Sequence, residues 1–444
     1  MTILKQARSL LEALPLCDNC LGRQFALLGH GLGNGQRGYA IKLLLVVEAD
    51  RQLKEDEKTG KQALAALAKS SLSDIAKRTA AARGVEVKAE KRECDLCKGT
   101  FADLDRYAEM ASKHMVSYEY ESFVVGIHVP PEIEEHEDEL RARYELSWGE
   151  SIRNEFSREI GKRLQVATGK AVDLQHPQLL VMLGPFNDEL YLEVSSIYVS
   201  GRYRKLIRSI PQSRWLCSYC QGRGCDRCKG TGRLYQESVE EFIGNPVMVA
   251  AEGVEFHLHA AGREDIDVRT LGTGRPFVLE VAQPKRRSLD LRELTERINM
   301  SSSGKVEITG LKPSSKEEVR RLKSEGQKEK TYRAIVEFDG EVDDSKLEKL
   351  KETFVGQPLN QLTPTRVMHR RALRTRKKYI YELETRRLQP DRAEFLIRCQ
   401  GGLYVKEFIS GDGGRTKPSV AEILGIPAKC VELDVLNVDV GEKK

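Results

Sequence analysis

The stretch HLHAAGREDIDVRTLGTGRPFVLEV, residues His257–Val281, indicates the fold of this chain and the place of its chemistry. Polar and apolar residues alternate at its start and the apolar run Phe277–Val281 ends it, which predicts two strands joined by a loop. The loop segment Arg263–Arg269 carries three carboxylates and two arginines, and Gly272–Pro276 predicts a turn into the second strand. Reactive groups often lie on loops held by rigid strands, but ion pairs produce similar clusters. An active-site loop and a salt-bridged turn therefore both stay open at this point.

The composition of the chain restricts the classes of protein to which it can belong. The chain has 444 residues, of which 31% are charged and 40% hydrophobic, with a net charge of +5. This is typical of a globular chain of roughly two to four domains. Lys5, Arg8 and Glu12 interrupt any signal-peptide core, and the apolar run Leu43–Val47 is too short to span a bilayer. We therefore predict a cytoplasmic protein with no membrane partner.

The cysteine pattern predicts metal binding. Eight of the ten cysteines form C-x-x-C pairs, and a cytoplasmic chain has little use for disulfides. Two such pairs supply the four thiolates of a tetrahedral structural zinc site. A lone pair could instead be a redox dithiol, but no thioredoxin-like βαβ pattern surrounds these. We predict two Zn²⁺ sites, whose ligands are Cys17, Cys20, Cys94 and Cys97 in one and Cys217, Cys220, Cys225 and Cys228 in the other.

The periodicity changes along the chain. Residues 1–100 are predicted to be mainly helical, residues 101–210 alternate between strands and helices, and residues from 240 onward predict a mixed, mostly antiparallel sheet with flanking helices. The middle region ends in the basic segment Ser200–Arg208, in which Tyr203 stands among cations. A stacking aromatic among phosphate-binding groups predicts RNA contact. The predicted contact residues include Arg202, Arg204 and Lys205.

Several classes of enzyme are excluded by missing motifs. The sequence has no G-x-x-x-x-G-K-[ST] loop, no G-x-S-x-G elbow and no H-E-x-x-H helix. His257 and His259 share a strand face without a third metal ligand nearby. A carboxylate among cations, flanked by cysteine knuckles and arginine-rich segments, indicates chemistry on RNA.

Three motifs resemble those of the pseudouridine synthases and occur in the family's order. Arg263-Glu-Asp265 resembles the R-x-D motif that carries the catalytic aspartate, and Lys330–Val336 resembles the motif whose tyrosine lies against the target base. Ile397–Phe408 resembles the third motif, which presents a cation to the aspartate. The sequence is most similar to the archaeal and eukaryotic synthases that modify the TΨC arm of tRNA.

The resemblance implies an α+β, multidomain architecture. The implied regions are an N-terminal helical zinc-binding domain at 1–100, a THUMP-like RNA-binding domain at 101–212, a Cys₄ zinc knuckle at 213–235 and a catalytic domain with the pseudouridine synthase fold at 236–444.

The resemblance also implies the roles of site residues. Spacing alone does not separate Asp265 from Asp267, but the R-x-D frame selects Asp265 as the catalytic aspartate. Asp267 is then expected to support Arg269 or Arg275. The other implied site residues are Tyr332 against the base, Lys406 as the cationic partner of the aspartate, and Arg263 and Tyr404 on the substrate side. The basic segment Thr363–Lys378 is expected to contact phosphates through Arg370, Arg371 and Arg374.

The implied activity is isomerisation of uridine to pseudouridine in the TΨC loop of tRNA, at position 54, 55 or both. Such an enzyme uses structural zinc, needs no cofactor for the chemistry and has no obligatory protein partner. One alternative is a non-catalytic, zinc-containing tRNA-binding or chaperone protein. Another is a THUMP-containing methyltransferase or thiolation enzyme, which would need a cofactor or ATP loop that the sequence does not display.

Overall fold

The computed structural model describes residues 2–87, 92–325, 328–369 and 371–439. Contacts divide the chain into two compact units, Met1–Ser195 and Ser196–Lys444. No helix within the described ranges is long and apolar enough to cross a membrane. Arg370 lies outside the described residues.

The first unit is rich in helices. They are α1 (Ile3–Ala13), α2 (Asp18–Arg23), α3 (Asn34–Glu55), α4 (Glu57–Ser70), α5 (Asp74–Ala82), α6 (Leu104–Met115), α7 (Pro131–Arg143) and α8 (Ile152–Thr168). The apolar spacing over Lys61–Ala82 is that of one continuous helix, but α4 and α5 are separate. Leu72 adopts a positive φ of 53°, and the Ser73 hydroxyl accepts a hydrogen bond from Ala76 N, which caps a new helix.

The first unit also contains a small sheet. Its strands are β1 (Ser122–Ile127), β2 (Ala171–Val172), β3 (Leu179–Gly184) and β4 (Glu189–Val194), in the order β2-β1-β3-β4. Alternate residues of β1 are buried, as expected of a strand covered by helices on one face. Arg23 on α2 is fully buried and forms 2.8 Å ion pairs with Glu137 on α7 and Glu155 on α8. This buried triad ties the first cysteine pair to the α/β part of the unit.

The second unit is built on a large sheet. Its strands are β5 (Ile197–Lys205), β6 (Glu255–Ala260), β7 (Val268–Ala282), β8 (Val306–Ser314), β9 (Lys330–Phe338), β10 (Pro358–Leu362), β11 (Thr375–Gln389), β12 (Arg392–Cys399), β13 (Thr416–Lys417) and β14 (Ala428–Val438). Its helices are α9 (Val239–Ala250), α10 (Leu291–Ser301), α11 (Lys316–Glu325), α12 (Asp344–Phe354), α13 (Val405–Ser410) and α14 (Val420–Leu424).

The strand order is β13-β10-β11-β12-β9-β14-β7-β5-β8, and β6 also pairs with β7. The pairs are antiparallel except for β14 with β7, which is parallel. The predicted mixed, mostly antiparallel sheet with flanking helices is confirmed. Strand β14 joins two halves of the sheet. One half contains β13, β10, β11, β12 and β9, and the other contains β7, β5, β6 and β8.

Strand β5 pairs with β7 and β8 in the second unit, whereas the sequence analysis assigned it to the THUMP-like region. The predicted domain boundaries stay predictions.

The predicted turn at Gly272–Pro276 is wrong, because these residues lie within β7, Val268–Ala282, where the pairing with β5 shifts register between Thr270 and Arg275. Gly272 has a positive φ, and a Cβ there would lie 2.1 Å from the Leu436 carbonyl oxygen. The glycine therefore allows close approach of the strand backbones rather than a reversal of the chain.

Candidate active site

A buried lysine, Lys205, fixes the backbone of the acidic loop between β6 and β7. Lys205 Nζ donates to the carbonyl oxygens of Asp265 and Ile266, both at 3.1 Å, and of Ile210 at 2.9 Å. Lys205 is 0% exposed. The prediction that Lys205 contacts RNA is therefore wrong, and its charge fixes the backbone of the loop.

The first carboxylate of the loop points into the core. Glu264 forms a 2.8 Å ion pair with Arg275, and both side chains are buried. The Tyr203 hydroxyl donates to Glu264 at 2.9 Å, and Arg275 Nη1 donates to the Ala261 carbonyl at 2.7 Å. Because Tyr203 is fully buried, its predicted role as a stacking surface for RNA is also wrong. Glu264 is thus a structural group.

The second carboxylate faces two cations. Arg366 Nη1 lies 2.8 Å from Asp265 Oδ2, and Lys406 Nζ lies 3.8 Å from the same oxygen. Lys406, the partner expected from the sequence, is therefore near Asp265, but Arg366 is nearer. The sequence analysis missed Arg366 because it treated the whole basic segment around it as phosphate-binding surface.

The third carboxylate, Asp267, lies closer to Lys406 than Asp265 does. Lys406 Nζ donates to Asp267 Oδ2 at 2.6 Å. Burial alone would raise the pKa of Asp267, but the hydrogen bond and charge of Lys406 outweigh it and lower that pKa. The expectation that Asp267 supports Arg269 or Arg275 is wrong, because Arg269 binds Asp434 at 2.8 Å and Arg275 binds Glu264.

Arg366 is itself fixed in place. Its Nε donates to Glu407 Oε1 at 2.6 Å, and Glu407 on α13 is buried. Arg366 thus connects the segment before β11 with the helix that carries Lys406 and with the acidic loop.

A cavity of about 720 Å³ opens on Asp265. Asp265, Arg366 and Lys406 line it, as do Tyr332 and Lys330 on β9. Burial raises the pKa of Tyr332, so its phenol stays neutral. Burial and the neighbouring Arg275 lower the pKa of Lys330 to about 8. The cavity thus combines one partly exposed carboxylate, cations and an aromatic wall.

The remaining predicted substrate residues fall into two groups. Tyr404, Arg263 and Arg371 line the cavity, and Arg374 is exposed close by in sequence. By contrast, the guanidinium groups on β5 contact protein. Arg202 donates to the carbonyl oxygens of Thr273, Gly274 and Val438, and Arg204 pairs with Glu307.

Two cysteine clusters have the geometry of metal sites. The Sγ atoms of Cys17, Cys20, Cys94 and Cys97 lie within 4.8 Å of one another, and so do those of Cys217, Cys220, Cys225 and Cys228. Backbone N–H groups donate to these sulfurs, including Gly224 N to Cys220 Sγ at 3.2 Å. Such donors stabilise thiolates. Each cluster can hold one metal ion.

Comparison with known proteins agrees with this geometry. The family model described as "Pus10, C-terminal" matches residues 198–439, and "Pus10 THUMP domain, archaeal" matches residues 107–184. These matches, with relatives over nearly the full length of the chain that are named tRNA pseudouridine synthase, identify the chain as a pseudouridine synthase. Within that class, the chain belongs to the Pus10 family.

Curated relatives match along nearly the whole chain. A protein of Methanothrix thermoacetophila named tRNA pseudouridine synthase Pus10 is 41% identical, covering 98% of this chain and 94% of its own length. One of the same name from Methanocaldococcus jannaschii is 40% identical, covering 97% and 93%. Among solved structures, a Cbf5-Nop10-Gar1 complex is 18% identical with a TM-score of 0.28, covering 44% of each chain. A similarity that low supports no conclusion about this chain.

Proposed function

We propose that this chain is a cytoplasmic enzyme that isomerises uridine to pseudouridine in the TΨC loop of tRNA, at position 54, 55 or both, with Asp265 as the catalytic group. The observation that carries the proposal is the carboxylate of Asp265, which faces Arg366 at 2.8 Å and Lys406 at 3.8 Å in a cavity walled by Tyr332. The relatives named tRNA pseudouridine synthase support tRNA as the substrate.

The reaction exchanges one glycosidic bond for another. The bond between N1 of uracil and C1′ of ribose breaks, the base turns, and C5 bonds to C1′, while the proton of C5 is lost and N1 gains one. Atoms and electrons balance without an oxidant or a nucleotide. Asp265 can act on C1′ or on a ribose proton only as a carboxylate, and Arg366 and Lys406 are the cations that face it, at 2.8 Å and 3.8 Å.

The cavity suits an extruded base. A uridine must leave its stack before it can react, at a cost of a few kcal/mol. Stacking on an aromatic ring offsets part of that cost, and Tyr332 supplies a neutral ring in the lining of the same cavity as Asp265. Exposed arginines near the cavity, Arg371 and Arg374, would hold the phosphates of the TΨC arm.

We infer that the metal in both cysteine clusters is structural zinc. A zinc–sulfur distance of about 2.3 Å in a tetrahedron requires sulfurs about 3.8 Å apart. The Sγ–Sγ distance is 3.7 Å for Cys17 and Cys97 and 3.8 Å for Cys220 and Cys228. Four thiolates leave no open position for a substrate, so these sites hold the fold and do not take part in the chemistry.

The test is pseudouridine mapping at nucleotide resolution on an unmodified tRNA transcript. Asp265→Asn should bind tRNA and metal as the wild type does and form no product, whereas Asp267→Asn, on the same loop, should keep measurable activity. Turnover by Asp265→Asn with an inactive Asp267→Asn would reassign the catalytic group. Binding without any product from the wild type would favour the non-catalytic tRNA-binding alternative.

A further inference from the structure

Trp215 lies where the second cysteine cluster meets the catalytic loop. It precedes Cys217, and its carbonyl oxygen accepts a hydrogen bond from Leu234 N at 3.0 Å. Leu216 forms a β-bridge with Arg233, and Cys217 N donates to the Gly232 carbonyl at 2.8 Å. The backbone on either side of the cluster therefore fixes the position of Trp215.

The indole of Trp215 is oriented by two further side chains. The edge of Tyr235 packs against it, with ring centroids 5.6 Å apart and an interplanar angle of 78°. The guanidinium carbon of Arg263 lies 5.2 Å from the Trp215 ring centroid. Arg263 is two residues before Asp265, and both residues line one cavity together with Trp215.

A second cavity, of about 250 Å³, is lined by Trp215 and Arg263 together with residues of the acidic loop. Asp265, Arg366 and Lys406 also line it. These three side chains and Arg263 line the 720 Å³ cavity as well. The ion-paired group around Asp265 is therefore a wall common to both cavities.

We propose that the smaller cavity binds the base of the nucleotide adjacent to the target uridine, stacked against Trp215 and Arg263. The inference rests on the proposed function, in which the target base fills the larger cavity. Adjacent nucleotides are covalently linked, so the neighbour must lie close to the shared wall. Extruding the target also removes the stacking partner of its neighbour. Aromatic and guanidinium faces replace that partner without reading base identity.

A base fits this cavity better than a phosphate does. The carboxylates of Asp265 and Asp267 both form part of its lining, and they repel an anion. Arg366 and Lys406 contact those carboxylates directly. The second cysteine cluster thereby supports substrate binding, because it fixes the position of the stacking surface.

The test combines a protein change with a substrate change. Trp215→Ala is compared with Trp215→Phe on intact tRNA and on tRNAs that are abasic immediately 5′ or 3′ of the modified uridine. Stacking of one base corresponds to a loss of about tenfold in kcat/KM. We expect that loss for Trp215→Ala on intact tRNA and for the wild type on one of the abasic tRNAs. Trp215→Ala should lose nothing further on that abasic tRNA, and Trp215→Phe should keep most of the activity.

The controls separate stacking from unfolding and from general RNA contact. Trp215→Ala should retain the metal content of the wild type, and Tyr219→Ala, which removes a 75% exposed aromatic from the same cluster, should behave as the wild type. The proposal is overturned if neither abasic tRNA lowers kcat/KM of the wild type. It is also overturned if the loss caused by Trp215→Ala and the loss caused by the abasic site multiply when the two changes are combined. The coupling between Trp215→Ala and the abasic tRNA can also be measured as tRNA binding in the Asp265→Asn background. That measurement tests the stacking proposal even if Asp265 is not the catalytic group.

Discussion

At the scale of single residues, three carboxylates within four positions have three different environments. Glu264 is buried against Arg275, Asp265 faces the cavity, and Asp267 is 65% exposed at the side chain and held by Lys406. The buried Glu264 anchors the loop in the core, and the same loop can therefore present Asp265 to the cavity.

Glu264→Gln should destabilise the second unit by about 3–5 kcal/mol, because it leaves the buried Arg275 charge without its partner. The double change Glu264→Gln with Arg275→Met should recover much of that loss. Urea unfolding measures both, with Asp267→Asn as the exposed control, which should change stability little. Equal losses for Glu264→Gln and Asp267→Asn would contradict the buried ion pair.

Lys330 gives the stability of the protein a defined pH dependence. Burial and Arg275 lower its pKa from 10.5 to about 8, so below pH 8 the folded state carries the cost of a buried charge. As the pH rises from about 8 to 10.5, the folded state loses the proton first and stability increases. Lys330→Met should therefore stabilise the chain at pH 7 by about 3 kcal/mol, and the gain should shrink at pH 10. Urea midpoints at the two pH values measure this, and a gain independent of pH would rule out Lys330 as the titrating group.

At the scale of elements, the segment between β10 and β11 has two functions at its two ends. Arg366 contacts Asp265 and Glu407, while Arg371 and Arg374 are exposed. The segment therefore joins the proposed phosphate contacts to the proposed catalytic carboxylate, Asp265, within a short part of the chain.

Replacing Arg371 and Arg374 by Gln should weaken tRNA binding and reduce the slope of log K against log salt by up to about 2, since each lost phosphate contact removes close to one unit. The matched control is Arg386→Gln with Arg387→Gln, which removes two exposed charges from the other end of β11. Salt titrations of tRNA binding measure the slopes. A similar decrease in both double variants would indicate general attraction between charges instead of a specific phosphate contact.

Much of this site could be predicted from the sequence, because local signals carry it. The R-x-D frame, the alternation of β9 and the cysteine spacing are all visible within short windows. Arg366 could not be predicted, since its pairing with Asp265 spans about a hundred residues and a run of cations does not show which member turns inward. RNA contact was wrongly predicted for Lys205 and Tyr203 for the same reason. The sequence of a basic strand does not show whether its side chains are buried under a loop or exposed on the surface.

At the scale of the whole molecule, the two cysteine clusters differ in what they join. The first connects segments about eighty residues apart, and its cysteines belong to the main core of the first unit. The second joins residues within one short segment and forms a small cluster of its own. Loss of metal should therefore have unequal effects.

Cys97→Ser should release one metal ion per chain and unfold much of the first unit, because a buried polar group replaces a ligand that closes a long loop. Cys228→Ser should also release one metal ion, but with loss of order confined to the region around residues 213–235. Metal analysis with hydrogen exchange measures both. Global unfolding in Cys228→Ser, or a stable first unit in Cys97→Ser, would contradict this difference.

The position of β14 has a consequence for biosynthesis. This strand follows the other described strands in sequence, yet it lies between β9 and β7. Asp265 belongs to the half of the sheet that contains β7, and Arg366 and Lys406 belong to the half that contains β9. A nascent chain leaves the ribosome from its N-terminus, so both halves emerge before the strand that joins them. We therefore expect the carboxylate and its cations to come together only when β14 has emerged, so that a growing polypeptide does not act on the tRNAs around the ribosome that makes it.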